Sequence, residues 1–139
     1  MEHKKMLIEK EIKINGYDID VMGIVSNIVY IRWFEDLRMA FLDKYYPYDE
    51  MFKQKISPIL IETESLYKNY LTIVDKPIGR CWVTYLDEKK WEMEFEIVTG
   101  EIKHCTGKQS GLFYNLETKI TALVPQRLAN QYSDDESCE

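Results

Sequence analysis

At 139 residues the chain has the length of one domain, and a hydrophobic content of 45% is enough to form a core. The formal net charge of −6, from 18 basic and 24 acidic residues, disfavours binding to nucleic acid or to an anionic membrane. Charges interrupt the first residues, and no apolar run reaches the ~18 residues of a membrane span. We therefore expect a cytoplasmic protein with neither a secretory signal nor a membrane helix.

Three cysteines, Cys81, Cys105 and Cys138, are an odd and widely spaced set without C-x-x-C spacing. This pattern favours reduced thiols over disulfides or a structural zinc site. His104 lies next to Cys105 in a predicted strand, where neighbouring side chains point to opposite faces, so the two cannot form a nucleophile–base pair. We expect a structural or surface role for His104, and neither a metal nor a cofactor.

The first element is a predicted strand over residues 6–14. Its apolar residues fall on one parity and its charged residues on the other, which is the periodicity of a strand with one buried face. Asn15 and Gly16 end this strand. The apolar positions are Met6, Ile8, Ile12 and Ile14, and the charged positions are Glu9, Glu11 and Lys13.

A long helix is predicted over residues 25–45, because apolar residues recur there every three or four positions. Pro47 ends this helix or the turn after it, and residues 48–55 could form a short second helix. The recurring apolar positions are Ile28, Ile31, Phe34, Leu37, Phe41, Leu42 and Tyr45.

Strands are predicted for most of the second half of the chain. Alternation is clearest where Trp91, Met93, Phe95 and Ile97 alternate with glutamates. Further strands are expected over residues 59–67, 78–86, 101–114 and 120–124, with hairpin turns at 87–89 and 99–100. In the first of these, Ile59, Ile61, Thr63, Ser65 and Tyr67 are predicted to share a face. Residues 129–139 are acidic and are predicted to form a frayed tail, which leaves one domain over residues 1–128.

The segment from Gly16 to Arg38 carries the chemistry. Asp18 and Asp20 follow the first strand, Gly23 follows them, and the long helix starts directly afterwards. The first turn of a helix has amide groups without intrahelical partners and can polarise a carbonyl, while a nearby carboxylate can attack that carbonyl or activate water. The alternative is that either aspartate only ends the strand or caps the helix.

The same residues resemble a known family. Asp18, Asp20, Gly23, Val25, Asn27 and Tyr30 match the D-x-D-x-x-G-x-V-x-N-x-x-Y signature of hotdog-fold acyl-CoA thioesterases, and Phe34, Glu35 and Arg38 match the F-E-x-x-R that follows it. The similarity is to the 4-hydroxybenzoyl-CoA thioesterase branch and covers about residues 6–128. It implies a hotdog fold: an α+β domain whose antiparallel sheet of five or six strands wraps around one long helix.

The resemblance also implies roles for individual residues. Asp20 takes the position of the catalytic carboxylate, as nucleophile or as general base, and the backbone N–H of Asn27 polarises the thioester carbonyl. For Glu35 the motif alone implies that the side chain faces the site. Its i,i+3 spacing to Arg38 fits a surface ion pair instead. The residues implied to line the acyl or pantetheine path are Gly23, Ile24, Val25 and Tyr30.

Two positions depart from the family pattern and bear on substrate and subfamily. Gly16 stands where the family commonly has an aromatic residue, four positions before the catalytic acid. Asn27 stands where some members have a histidine. The implied activity is hydrolysis of an acyl-CoA thioester. The alternatives are an acyl carrier protein thioester as substrate, or a noncatalytic acyl-CoA-binding protein. The resemblance further implies a homodimer or homotetramer with the site between protomers.

Overall fold

The computed structural model describes residues 3–135 of the chain. Within this range six strands and three α-helices follow one another, with a 3₁₀ turn at Gly16–Asp18. The elements are β1 (Lys5–Glu11), α1 (Asn27–Tyr45), α2 (Tyr48–Gln54), β2 (Ile56–Tyr67), β3 (Ile78–Leu86), β4 (Lys90–Thr99), β5 (Ile102–Asn115), β6 (Thr121–Ala122) and α3 (Gln126–Asp134).

The strands form one antiparallel sheet in the order β1-β3-β4-β5-β2, with the short β6 added to β5. The predicted α+β class, with five or six strands and one long helix, is therefore confirmed. No helix within residues 3–135 combines the length and the apolar character needed to cross a membrane.

Helix α1 packs on one face of this sheet. Phe34 and Leu37 are fully buried, and the Phe34 ring stacks on Phe95 of β4 with 4.9 Å between centroids. Gly107 of β5 makes this approach possible, because a Cβ there would collide with the Phe34 ring. Phe34, Leu37 and Phe41 of the predicted stripe are thus buried, but its first residue, Ile28, is 64% exposed.

One end of the sheet carries the start of α1, and we call it the helix-start end. Glu11 pairs with Ile78, Thr99 pairs with Ile102, and Tyr67 pairs with Cys105, so β1, β4 and β2 finish here. The loops over residues 12–26 and 68–77 lie at this end. Helix α2 and the C-terminal part of α1 lie at the opposite end.

Strand β2 is an edge strand whose only partner within the described chain is β5. A register shift between Leu60 and Glu62 places Leu60 opposite Gly111 and Thr63 opposite Gln109. The predicted shared face of Ile59 and Ile61 with Thr63 is therefore wrong, because the bulge adds one residue and moves Leu60 to that face.

The C-terminal segment differs from its prediction. Residues 126–134 form α3, where a frayed tail was expected from residue 129, and residues 136–139 lie outside the described range. Leu128 is buried, Arg127 Nη1 lies 3.5 Å from Glu50 Oε1, and the Asp135 carboxylate accepts the N–H of Met6. Sequence analysis did not predict this helix because Leu128 is its one buried apolar residue and the helix has no continuous apolar stripe.

Cys81 and Cys105 are fully buried, and burial raises the pKa of each thiol to about 12. Since the thiolate is the reactive form, both thiols stay protonated and unreactive at pH 8. In a Cys138→Ser background we expect no thiol to react with a disulfide reagent at pH 8 until the protein is unfolded, after which two react. Rapid labelling of the folded variant would contradict the burial of both side chains.

Candidate active site

Asp20 stands in a tight turn at the helix-start end. Its N–H donates to the carbonyl of Ile24 over 2.8 Å, and Gly23 N–H donates to the carbonyl of Asp20 over 3.0 Å. Asp20 Oδ1 accepts the N–H of Met22 at 2.8 Å and lies 3.5 Å from that of Ile24. The carboxylate is thus exposed but held in place by the backbone of its own turn.

Asp18 has a different environment from Asp20. It is only 6% exposed, and its Oδ2 accepts the N–H of Asn15 at 2.8 Å. Its backbone carbonyl accepts the N–H of Ser26 at 2.9 Å, which joins the turn to the start of α1. The capping role left open for either aspartate therefore fits Asp18, while the carboxylate available to a ligand is that of Asp20.

The first turn of α1 has open amide groups. Ser26 is the N-cap residue, but its side chain makes no capping hydrogen bond. Val29 N–H donates to the Ser26 carbonyl over 3.0 Å, whereas the N–H groups of Asn27 and Ile28 donate to no acceptor within residues 3–135. An isolated bridge between Ile19 and Val25 closes the hairpin that brings Asp20 back to this turn. The positive end of the helix dipole and two free N–H donors therefore lie beside the Asp20 turn.

Val25 and Tyr30 are buried below this surface. Val25 N–H donates to the carbonyl of Leu71 over 2.9 Å. The Tyr30 ring packs against Trp33 at 5.2 Å and Tyr67 at 5.6 Å between centroids, and burial raises the pKa of its hydroxyl to about 12. Both residues support the helix start from inside, and Ile24 is half-buried above them.

The loop over residues 68–77 supports the same region, and sequence reasoning missed it. His104 is buried, its Nδ1–H donates to the Asn69 carbonyl over 3.0 Å, and its Nε2 lies 2.7 Å from the Thr99 hydroxyl. The expected structural role of His104 is thus confirmed. Thr72 N–H bonds the Asp75 carboxylate at 2.7 Å and lowers its pKa. Leu71 is fully buried while the neighbouring Tyr70, Ile73 and Val74 are exposed, so nothing in the sequence of this loop distinguishes the residue that supports the site.

Glu35 joins α1 to the sheet. Its Oε1 accepts Arg38 Nη2 at 2.6 Å and its Oε2 accepts Gln109 Nε2 at 3.1 Å. The predicted helical ion pair with Arg38 is confirmed. Gln109 Nε2 also lies 3.4 Å from Thr63 Oγ1, and Gln109 Oε1 is buried without a partner among the described residues.

An open groove of about 550 Å³ runs between β1 and α1 at the helix-start end, and Asp18 contributes to its wall. Tyr17, which is 82% exposed, also lines this groove, whereas Asp20 and Asn27 do not. Val21, which is fully exposed, and Ile28, which is 64% exposed, lie outside the groove lining. Within residues 3–135, no three His, Cys, Asp or Glu side chains converge as a metal ion would need.

Gly23 adopts φ of +81°, a left-handed conformation that a side chain disfavours, although the space around it is open. We expect Gly23→Ala to cost about 1 kcal/mol of stability from this strain and to lower activity at least tenfold, because the Asp20 turn must distort. Gly100, at φ +58°, is a matched control in the β4–β5 turn. Gly100→Ala should cost similar stability in thermal unfolding but leave activity unchanged; equal activity losses would contradict a special role for the Asp20 turn.

Comparison with known proteins identifies the family. The family model described as the Thioesterase-like superfamily matches residues 15–132. No curated protein sequence matches the chain. Many solved structures share its fold at low sequence identity.

Three of these structures illustrate the similarity. A DHNA-CoA thioesterase from Staphylococcus aureus is 21% identical, with a TM-score of 0.81, over 92% of this chain and 89% of that one. A hypothetical protein from Staphylococcus aureus in complex with CoA is 14% identical, with a TM-score of 0.87, over 100% and 91% of the two chains. A 1,4-dihydroxy-2-naphthoyl-CoA thioesterase from Synechocystis is 13% identical, with a TM-score of 0.81, over 92% and 96%. The family resemblance read from the motif is confirmed, and the chain belongs to the Thioesterase-like superfamily, with the hotdog fold.

Proposed function

We propose that this protein hydrolyses the thioester of an acyl-CoA to the free acid and CoA. The observation that carries the proposal is the pair of free amide groups of Asn27 and Ile28 beside the Asp20 turn. Family membership supports the reaction class, and two related structures are named as CoA thioesterases.

In the proposed site the thioester carbonyl oxygen accepts the Asn27 N–H at the positive end of α1. One such donor is worth roughly 3–4 kcal/mol to the transition state. Gly23, with no side chain, lets the thioester approach the Asp20 turn. Ile24 lines the path to the carbonyl, and Val25 and Tyr30 form its floor.

Asp20 acts on the carbonyl carbon, either directly as a nucleophile or by taking a proton from water. In both routes one water is consumed, the C–S bond breaks with its electron pair on sulfur, and the acid and the thiol are released. A thiol with a pKa of about 8.5 leaves as a thiolate, so no strong general acid is needed. This is why a carboxylate and helix amides are sufficient for a thioester.

We further propose that the protein works as a homodimer or a larger even-numbered oligomer joined through β2. The free edge of this twelve-residue strand presents unpaired backbone groups. Leu60, Ile61 and Tyr67 are exposed along it. A two-fold axis relates two copies of one strand as an antiparallel pair. Two β2 strands can therefore pair with each other, which covers both free edges.

Thiol release from a panel of short, long and aromatic acyl-CoAs tests the function, with the same acyl groups on an acyl carrier protein as a second set. We expect saturable cleavage of at least one CoA ester. Cleavage restricted to the carrier-protein esters would show that the substrate is an acyl carrier protein thioester and not an acyl-CoA. Binding of CoA esters without any cleavage would make the protein a noncatalytic acyl-CoA-binding member of the family.

A further inference from the structure

The open groove between β1 and α1, which we call the β1–α1 groove, lies outside the proposed catalytic site. Its volume of about 550 Å³ is within the range of ligand-binding clefts. Neither Asp20 nor Asn27 lines it, and it lies beside β1, at the sheet edge opposite β2. Pairing of two β2 strands therefore leaves this groove open to solvent.

The β1–α1 groove has an apolar floor. Val29, Trp33 and Leu37 follow one another on α1 at i,i+4 spacing, and all three are buried. Leu37 packs against Gly79 of β3, where a Cβ would collide with both Leu37 and Ile12. These residues form one stripe that follows α1 for about 12 Å, at 1.5 Å per residue.

Three cationic side chains also line this groove. Lys10 pairs with Gly79, so it stands on the face of β1 that meets α1. Arg32 is exposed on α1 next to the buried Trp33, and Lys13 is exposed just beyond the end of β1. None of the three cations forms an ion pair with a carboxylate of residues 3–135. Their charge is therefore available to a ligand.

The acidic residues of the lining do not cancel this charge. Glu35 is neutralised by its ion pair with an arginine of α1. Glu11 follows Lys10 in β1 and therefore stands on the opposite face of the sheet. Asp18 and Asp36 are left against three cations, so the groove has a positive excess although the whole chain has a net charge of −6. A local excess of this kind attracts anions.

Tyr17 supplies an aromatic ring at the end of the groove nearest the Asp20 turn. It lies in the 3₁₀ turn Gly16–Asp18 and is 82% exposed, so its ring contributes almost nothing to the core. Exposed aromatic rings are surfaces on which nucleobases stack. Arginine and lysine side chains are the usual protein partners of phosphate groups. The groove thus combines a ring for a base with cations for phosphates.

We propose that the β1–α1 groove binds a nucleoside diphosphate, with its base on Tyr17 and its phosphates against Arg32 and Lys10. This inference goes beyond the proposed function, whose acid and amides lie outside the groove. Such a ligand has two sources: the ADP portion of CoA, or a free nucleotide that binds independently of the substrate. The binding of ADP itself tests the chemistry that both sources share.

Calorimetric titration with ADP tests the site without any thioester. We expect saturable binding that weakens as salt is added, and binding at least tenfold weaker in Arg32→Gln and in Lys10→Gln. The matched control is Lys44→Gln, because Lys44 is exposed in the last turn of the same helix, and this variant should bind ADP like the parent. No binding by the parent, or equal affinities of Arg32→Gln and Lys44→Gln, would overturn the proposal, whether or not the protein cleaves thioesters.

The role of the aromatic ring has its own measurement. Inorganic pyrophosphate carries the phosphates of ADP without the base. We expect Tyr17→Ala to weaken ADP binding about tenfold, the loss of one base–aromatic stack, and to leave pyrophosphate binding unchanged, while Tyr17→Phe keeps the affinity for ADP. A parent protein that binds pyrophosphate as tightly as ADP would overturn the placement of the base on Tyr17.

Kinetics with two substrates identify the source of the nucleotide. If the groove holds the ADP portion of CoA, CoA displaces ADP, and Arg32→Gln raises KM about tenfold for an acyl-CoA but not for the acyl-pantetheine ester, which lacks the nucleotide. If the ligand is a free nucleotide, CoA does not displace ADP and Arg32→Gln leaves both KM values unchanged. Either result supports the nucleotide site and assigns its ligand.

Discussion

Asp20→Asn should lower kcat for the best acyl-CoA substrate by about 10²–10⁴, the range contributed by a positioned acid–base group. The asparagine side chain keeps an oxygen where Oδ1 accepts the Met22 N–H, so the turn is preserved. What is lost is the negative charge that attacks the carbonyl or takes a proton from water. Steady-state kinetics with thiol detection measure the effect, and substrate binding should change little.

Asp87 provides a matched control for this substitution. It is an exposed aspartate in a turn at the opposite end of the sheet, and its Oδ1 accepts the N–H groups of Lys89 and Lys90, both at 2.8 Å. Hydrogen bonding, first of all from the Tyr85 hydroxyl, lowers its pKa to about 2. Asp87→Asn should leave kcat within twofold of the parent. If the two variants are equally active, Asp20 is not the catalytic residue.

Gly111→Ala should produce the largest loss of stability among single-methyl changes in the sheet. A Cβ at this position of β5 would collide with the carbonyl oxygen of Ile59 in β2 and lie 2.8 Å from Trp91 Cζ2. A backbone oxygen in a paired strand cannot rotate away, so the two strands must separate locally. We expect a cost of about 3 kcal/mol, at the upper end of the range for overpacking, and a fall in Tm on the order of 10 °C.

Gly16→Ala is the corresponding control. A Cβ at Gly16 meets no atom within 4 Å, and its φ lies outside the left-handed region. Thermal and chemical unfolding of this variant should match the parent within about 0.5 kcal/mol, the usual range for surface substitutions. A Gly111→Ala variant as stable as Gly16→Ala would mean that β2 and β5 are less closely paired than described.

The parts of the fold that sequence predicted are those with a strong local period. The stripe of α1 and the alternation of β4 follow directly from where Phe34, Leu37 and Phe95 fall along the chain. The bulge near Ile61 and helix α3 could not be predicted, because a single inserted residue and a single buried leucine leave no period to detect.

For the candidate site as well, the sequence predicted the residues that are close together along the chain and missed the contacts between distant ones. The order of Asp20, Gly23 and Asn27 identified the turn and the helix start, since all three are neighbours in sequence. The support from Leu71 depends on a loop that reaches this turn only after the sheet has formed. The bond between Gln109 and Glu35 joins residues 74 positions apart, which no local pattern reveals.

A crystal structure of the protein with a nonhydrolysable thioester analogue of its best acyl-CoA substrate tests the catalytic arrangement most directly. We expect the carbonyl oxygen of the analogue at about 2.7–3.1 Å from the Asn27 amide nitrogen, the range for an oxyanion donor. An Asp20 carboxylate oxygen should lie about 3–3.5 Å from the carbonyl carbon, directly or through one water. A carbonyl bound away from the first turn of α1, or an Asp20 side chain pointing away from it, would contradict this account.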